Sequence, residues 1–341
     1  MPGIRRMGRE IFTKPELAAL AALRARFLDG SNAGGGYWKS EGELALYDAS
    51  FGERIGWKWD AVLGELKARG WRPAAKHVVD WGCGSGIAGR RVLAAWDGFE
   101  SLTLSDVSPH AMRFAESRAR ENFPKLQVRT TTHAAAATAG SLLLVSHVLN
   151  EMDDPAAHRL IGAARRASGI IWVEAGTHAD SRRLISVREE LRGEFDIIAP
   201  CTHAARCGML VPENAAHWCH HFATAPSEAS RDARWAQFGR ALGIDMRSLP
   251  YSFLVLARRG AGAEETHGFS RIIGRPRDEK GHFNVLSCSE EGVEELMAQK
   301  RDVPELSKQL RKGRADAVQR WTREGRRITG AMPFSGRDAT E

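Results

Sequence analysis

Apolar positions change their spacing along the chain, and each change marks an element. Leu17, Leu20, Leu23 and Phe27 share one helical face behind Thr13-Lys14-Pro15-Glu16, a capping-box pattern, so a helix is expected over 13–28. Gly34-Gly35-Gly36-Tyr37-Trp38 reads as a loop, and a second helical region follows over about 41–69. From residue 75 short apolar runs alternate with helical patterns, which predicts a parallel sheet with crossover helices. The expected strands are Val78-Val79 closing on Asp80, Leu102 to Asp106, 126–130, 141–147 and 169–174. The run 141–147 is almost wholly apolar, as a strand covered on both faces should be. Helices are expected over 109–121 and 181–191, the second with Asp180 as N-cap. Phe195 to Ala199 and Ser252 to Ala257 predict a closing antiparallel pair, which leaves 200–250 as an insert.

The stretch Asp80-Trp81-Gly82-Cys83-Gly84-Ser85-Gly86 joins the first of these strands to a helical pattern that begins near Ala88. Glycine tolerates positive φ and lets backbone approach a ligand closely. The helix start behind the loop presents free N–H groups. Asp106, about twenty residues on, ends the next strand with a carboxylate suited to the hydroxyls of a ribose. An α/β turn that merely needs glycines is the plainer reading. The acidic residue followed by Gly82, Gly84 and Gly86 at alternate positions resembles the first motif of S-adenosylmethionine (SAM)-dependent methyltransferases of the Rossmann-like type, not the G-x-G-x-x-G of dinucleotide enzymes. That resemblance implies SAM as cofactor, with Asp80, Gly82, Gly84, Gly86 and Asp106 around it. Tyr37 and Tyr47 are candidates to cover the pocket, plain packing being the alternative.

Composition narrows the setting. The 341 residues, 43% hydrophobic, suffice for a full α/β domain and additions. No run of eighteen apolar residues exists, so no membrane partner is expected. The first residues carry Arg5, Arg6 and Arg9 without an apolar signal core, and Glu10 and Glu16 speak against a presequence. A bacterial cytoplasmic location is expected, with the mitochondrial matrix as the alternative, and a monomer. Of the net charge of +7, nearly all arises between Lys300 and Arg327, where ten basic residues face four acidic ones. That surplus, with Trp321 inside it, suggests RNA as partner, a solvated helical face being the bland reading.

Besides Cys83 in the glycine loop, the cysteines are Cys201, Cys207, Cys219 and Cys288. Their spacing fits neither the tight pairs of zinc ribbons nor the common ferredoxin run. Three close thiols and a remote fourth suit a tetrathiolate site, and the neighbouring His203, His217, His220 and His221 leave Cys/His zinc open.

Taken in order, Pro200-Cys201-Thr202-His203, Cys207, Trp218-Cys219-His220, Gly281-His282 and Cys288 resemble the methyltransferase-like assembly factors of the mitochondrial small ribosomal subunit and their bacterial relatives. Val148-Leu149-Asn150-Glu151, Glu174-Ala175-Gly176-Thr177 and Arg188-Glu189-Glu190-Leu191 agree with them, over roughly residues 37–290. The resemblance implies that Cys201, Cys207, Cys219 and Cys288 hold a 4Fe-4S cluster, with zinc as the alternative, and that small-subunit ribosomal RNA or the ribosome is the partner. His203, His220 and His282 are then expected beside the ligands rather than as ligands.

The fold class expected is α/β, a Rossmann-like SAM methyltransferase sheet with N-terminal helices, a Cys-rich insert and a small C-terminal β extension. The domains expected are 1–74 (helical), 75–258 (methyltransferase-like, insert 200–250), 259–298 (small β segment with the fourth Cys) and 299–341 (basic helical tail, disordered from Gly330). On the acceptor side the candidates are His147, Asn150 and Glu151, after the fourth strand, where open α/β sheets place their chemistry. They are equally suited to tying the strand end to the next helix. The Asn/Asp-Pro-Pro-aromatic motif of many base-amine methyltransferases is missing, and no cysteine nucleophile lies near this strand. Three functions fit: an RNA methyltransferase of the small subunit, an assembly factor that keeps SAM and cluster for binding, and a zinc-stapled small-molecule methyltransferase.

Overall fold

The computed structural model describes residues 11–28, 38–133, 138–260 and 266–334. Two strand systems organise them. The first is an eight-stranded sheet in which β1 (His77–Trp81), β2 (Ser101–Ser105), β3 (Gln127–Thr130), β4 (Leu142–Ser146) and β5 (Gly169–Ala175) run parallel in the order β3-β2-β1-β4-β5. β8 (Leu249–Arg258) adds antiparallel to β5, and β6 (Phe195–Ala199) adds antiparallel to β8. This is the Rossmann-like methyltransferase sheet expected from the chain. The crossover helices are α4 (Ile87–Ala95), α5 (Pro109–Asn122), α6 (Asp154–Ala164) and α7 (His178–Leu191). β4 and β5 are apolar up to Ser146 and Glu174 at their carboxyl ends because helices cover both faces: Leu144 and Ile171 join one core, Leu143 and Trp172 the other.

The N-terminal helices are α1 (Lys14–Leu28), α2 (Glu41–Tyr47) and α3 (Glu53–Ala68), with a π-helical turn over Asp48–Gly52 between the last two. The Thr13–Glu16 box closes reciprocally: Thr13 N–H donates to Glu16 Oε2 at 2.8 Å, and Glu16 N–H to Thr13 Oγ1 at 3.3 Å. α3 buries Trp57, Trp59, Val62, Leu63 and Leu66 against the sheet domain. The α7 cap differs from expectation. Thr177 caps it by accepting from Asp180 N–H, and Asp180 sits inside the first turn. Both residues suit an N-cap, and the sequence pattern alone did not separate them.

The second system overturns the expected basic helical tail. β9 (Ser270–Glu279), β10 (His282–Ser289), β11 (Gly292–Gln299), β12 (Val318–Glu324) and β13 (Arg327–Pro333) close a barrel in the order β10-β11-β13-β12-β9. β11 and β13 are parallel and every other neighbour is antiparallel. α8 (Ala233–Leu242) precedes β8, and α9 (Pro304–Arg311) lies between β11 and β12. Five strands with this order and a helix between the third and fourth have the connectivity of an OB-fold. Leu306 and Leu310 of α9 pack with Phe283, Val285, Leu296 and Ile328 as the barrel core. The segment expected to be disordered from Gly330 continues as β13, and Phe334 packs edge-on against Phe269 at 5.2 Å. Residues 335–341 lie outside those described, as do the opening residues with Arg5, Arg6 and Arg9. The strands were hidden because a closed barrel exposes a charged outer face, and in the last hairpin only Ile328 and Trp321 turn apolar side chains to the barrel core.

The insert 200–250 leaves the sheet after β6 and returns as β7 (His221–Ala223) on the same edge of β8. It seats the barrel on the sheet domain. A Cβ on Gly208 would stand 2.8 Å from the backbone nitrogen of Val293, so only glycine admits this contact. Arg271 of β9, 3% exposed, pairs with Glu65 of α3 at 2.5 and 2.9 Å. No described helix is long and apolar enough to cross a membrane.

Candidate functional site

The turn after β1 is built as its glycines require. Gly82, Gly84 and Gly86 have φ of +66°, +52° and +74°. Added Cβ atoms at Gly82 and Gly86 would meet Val148 Cγ1 at 2.6 Å and Ala115 Cβ at 2.9 Å. At Gly84 nothing lies within 4 Å, so this glycine borders open space. Asp106 stands just beyond β2, its Oδ2 accepting from Gly84 N–H at 2.9 Å and its Oδ1 from Ser108 N–H at 2.8 Å. Burial raises its pKa against the pull of these donors. The neighbouring Val107 leaves its apolar side chain 76% exposed at this rim. Asp80 is fully buried beneath the loop. Its Oδ2 accepts from Gly89 N–H at 3.0 Å, its Oδ1 has no partner, and burial pushes its pKa up to about 7.

The end of β4 adjoins this loop through Val148. His147 takes φ +56°, the one positive φ outside glycine among the described residues. Its Nε2 lies 3.0 Å from Lys58 Nζ, and its Nδ1 lies 3.3 Å from Ser146 Oγ, which accepts from Trp59 Nε1 at 3.0 Å. Asn150 and Glu151 sit in the following 3-10 turn, Asn150 exposed and Glu151 half-buried. The strand end is tied down by Glu174, whose Oε1 accepts from Trp172 Nε1 at 2.7 Å and from the Val148 and Leu149 N–H groups at 3.3 Å each. Burial pushes Glu174 up to about 8. Tyr47 belongs to an aromatic group with Phe27, Trp38 and Phe51, and burial raises its pKa, Glu151 adding to it. Tyr37 lies outside the described residues. Lys58 had no motif to announce it, and Glu174 was noted only within a motif and not as a site residue; their roles follow from how α3 packs over β4 and where β5 ends.

The four late cysteines converge from four places in the chain. Cys201 follows β6, Cys207 precedes a 3-10 turn, Cys219 precedes β7, and Cys288 lies in β10. Cys207, Cys219 and Cys288 pack together with Ile185, Met209 and Ile273. Arg188 of α7 donates Nε–H to Cys201 Sγ at 3.3 Å, and its NH2 donates to the carbonyls of His203 and Ala205. His203 Nε2 is 3.6 Å from Cys288 Sγ, and His221 Nε2 is 3.7 Å from Cys219 Sγ. His220 instead stacks on Trp218 at 4.6 Å, and His282 opens β10 at the end opposite Cys288. Burial pushes the Cys207 thiol up to about 11 and raises those of Cys219 and Cys288, and facing thiols add to each shift. All five cysteines are free. Among the described residues no group of three or more His, Cys, Asp or Glu side chains is arranged to hold a metal ion. The donor set nevertheless fits a thiolate-bound group: Cys207, Cys219 and Cys288 pack in one cluster with Cys201 within electrostatic reach of each, Arg188 supplies charge to offset thiolates, and His203 keeps a buried Nδ1 without a partner.

The surplus of charge after residue 300 is not a free basic stripe. Lys300 and Arg311 pair with Asp278, Arg323 with Glu291 and Glu294, Arg326 with Glu295, and Arg327 with Asp302. Trp321 donates Nε1–H to Ser287 Oγ at 2.9 Å and packs against the barrel core rather than standing open.

The sheet, the glycine turn and the carboxylate after β2 define a Rossmann-like protein of the methyltransferase type with an added five-stranded barrel. The chain belongs to the family described as mitochondrial small ribosomal subunit Rsm22, whose model matches residues 58–318. A search of the curated proteins gives no match. Among solved structures it is similar to magnesium protoporphyrin IX methyltransferase from Synechocystis PCC 6803 with bound SAM, at 16% identity over 73% of this chain and 100% of that one, TM-score 0.39. It is similar also to the methyltransferase domain of bacterial CtHen1, at 14% identity over 60% and 98% of the two chains, TM-score 0.38. The [4+2]-cyclase SpnF matches at 19% identity over 58% and 81%, TM-score 0.36.

Proposed function

We propose that this chain binds SAM at the glycine turn, carries a cysteine-bound 4Fe-4S cluster between its insert and its barrel, and works on the small ribosomal subunit. The observation that carries the reading is the pairing of the two sites in one family member: an open glycine turn facing Asp106, and four thiols gathered from positions 201 to 288.

At the first site, Asp106 would exchange its bond to Gly84 N–H for the ribose hydroxyls. Gly84 would leave room for the ligand, and Val107 would offer an apolar surface to the base. Asp80 lies under the turn and shapes it through Gly89. When bound, SAM supplies a methyl group already activated by its sulfonium, so positioning is most of what the protein adds.

At the second site, Cys201, Cys207, Cys219 and Cys288 would be the ligands, with Arg188, His203 and His221 donating to them. Each thiolate of a four-iron cluster binds a different iron, so the four stand farther apart than around one zinc. The Cys207, Cys219 and Cys288 thiols, held neutral by burial, would deprotonate on binding, so loading is favoured as pH rises.

The ribosomal partner rests on the family and on the barrel. OB-folds bind oligonucleotides on their second and third strands and adjoining loops. Among the described residues Lys280, Lys312 and Arg314, on the β9–β10 turn and beyond α9, have no carboxylate within ion-pair range.

The test is iron, sulfide and zinc analysis of protein purified without oxygen, with calorimetry of SAM. About four iron and four sulfide per chain and saturable SAM binding support the reading. One zinc in a colourless sample removes the cluster, and absent SAM heat removes the cofactor site.

A further inference from the structure

One half-buried lysine in this molecule lacks the partner that such a lysine normally has. Lys58 projects from α3 over the carboxyl end of β4, and its hydrogen-bond partner is the neutral ring of His147 at 3.0 Å. Among the described residues no carboxylate lies within ion-pair range of it. The charged groups that face it are Arg54 on its own helix, Glu174 from β5 and Asp180 from α7. Both carboxylates are engaged elsewhere: Glu174 by three N–H donors, Asp180 by Thr177 Oγ1 at 2.6 Å. His147 makes the contact from a left-handed conformation, and such backbone persists only where its surroundings enforce it. The pair sits at the rim of the glycine turn, because Val148, the next residue, is what a Cβ on Gly82 would strike.

We propose that Lys58 is the proton acceptor of a methyl-acceptor subsite at the end of β4, with His147 holding its amine, so that the group methylated is an N–H or O–H nucleophile. The proposal rests on the SAM reading above. His147 fits the role with its proton on Nδ1, directed to Ser146 Oγ, and Nε2 accepting from the Lys58 amine, a tautomer assigned from the network. The amine then keeps its lone pair for the acceptor. As the nucleophile forms its bond to the sulfonium methyl, the S–CH₃ electron pair stays on sulfur as a neutral thioether. The nucleophile's proton passes to Lys58, which becomes an ammonium and returns the proton to water. Burial, with Arg54 second, lowers the Lys58 pKa from 10.5 to about 7, against the pull of Glu174 and Asp180, so the free amine is available near neutrality.

The experiment uses the full chain with three readouts. Amine labelling across pH, read at the Lys58 peptide by mass spectrometry, should show Lys58 titrating near 7, against about 10.4 for an ordinary lysine. His147→Asn, which tolerates the left-handed backbone, should move that midpoint. SAM with a tritiated methyl group, offered to small-subunit RNA from cells lacking the protein, should label the RNA at a rate that rises through pH 7. Lys58→Met should lose that transfer by roughly 10²-fold or more, with SAM affinity by calorimetry within twofold of wild type. SAM bound but no transfer, or transfer unchanged in Lys58→Met, overturns the subsite while leaving the cofactor site standing. An ordinary Lys58 titration overturns it equally. Failure to bind SAM removes the underlying reading itself.

Discussion

Removing the Glu65 carboxylate should separate the two strand systems. Glu65 on α3 faces two nearly inaccessible guanidiniums: Arg271 of the barrel, 3% exposed, at 2.5 and 2.9 Å, and Arg69, 4% exposed, at 2.8 Å. Arg69 also donates to the carbonyls of Ile198 and Pro200, and Arg271 to that of Pro200, so the network fixes the start of the cysteine insert. In Glu65→Gln both cations lose their countercharge inside the protein. Removing one partner of a buried pair costs about 3–5 kcal/mol. The retained carbonyl bonds and the Phe253 ring 5.3 Å from Arg271 place the expected loss toward the lower end. Burial alone would raise the Glu65 pKa, but Arg271 and then Arg69 outweigh it and hold it below its ordinary value. The carboxylate therefore contributes its stability above the ordinary glutamate pKa of about 4.3, and the contribution fades as pH falls below it. The assay is urea unfolding of both proteins at pH 7 and pH 4, with limited proteolysis reporting on the barrel. A loss under about 1 kcal/mol at pH 7, or a gap between the proteins that widens on acidification, would refute the reasoning.

Three other outcomes are expected. Gly208→Ala pushes a Cβ to 2.8 Å from Val293 N, so it should destabilise the insert–barrel contact by about 1–3 kcal/mol in urea melts, whereas Gly193→Ala, with nothing within 4 Å, should not. Gly82→Ala combines φ +66° with a 2.6 Å contact to Val148, and should weaken SAM binding by calorimetry at least tenfold. Cys219→Ser should leave the insert and the barrel strands open to protease while the sheet domain survives. Tetrathiolate zinc sites contribute on the order of 10 kcal/mol, comparable to a domain's net stability. Unchanged resistance of the insert would contradict that role for Cys219.

The methyltransferase-type sheet was legible because its signals are local. Apolar runs such as 141–147 report burial on both faces, and alternate glycines report backbone that other residues resist. Asp106 was placed by the same means, since the carboxyl end of a parallel strand is a position the chain itself defines. Proximity across the chain was legible only through resemblance. The first and last of the four cysteines stand eighty-seven residues apart, at 201 and 288, and no period in the sequence brings them together.

Tertiary structure alone decided the rest. Whether 299–334 was a charged helix or barrel strands depended on closure of β9 on β12 and of β11 on β13, which are non-local pairings. Whether its cations were free depended on carboxylates of β9 and β11 lying opposite them. Lys58 became chemically distinct only when α3 packed over β4, because burial and a neutral partner are properties of the surroundings and not of lysine. Local conformational preference is written residue by residue. The charge state and partners of a side chain belong to the space that folding encloses.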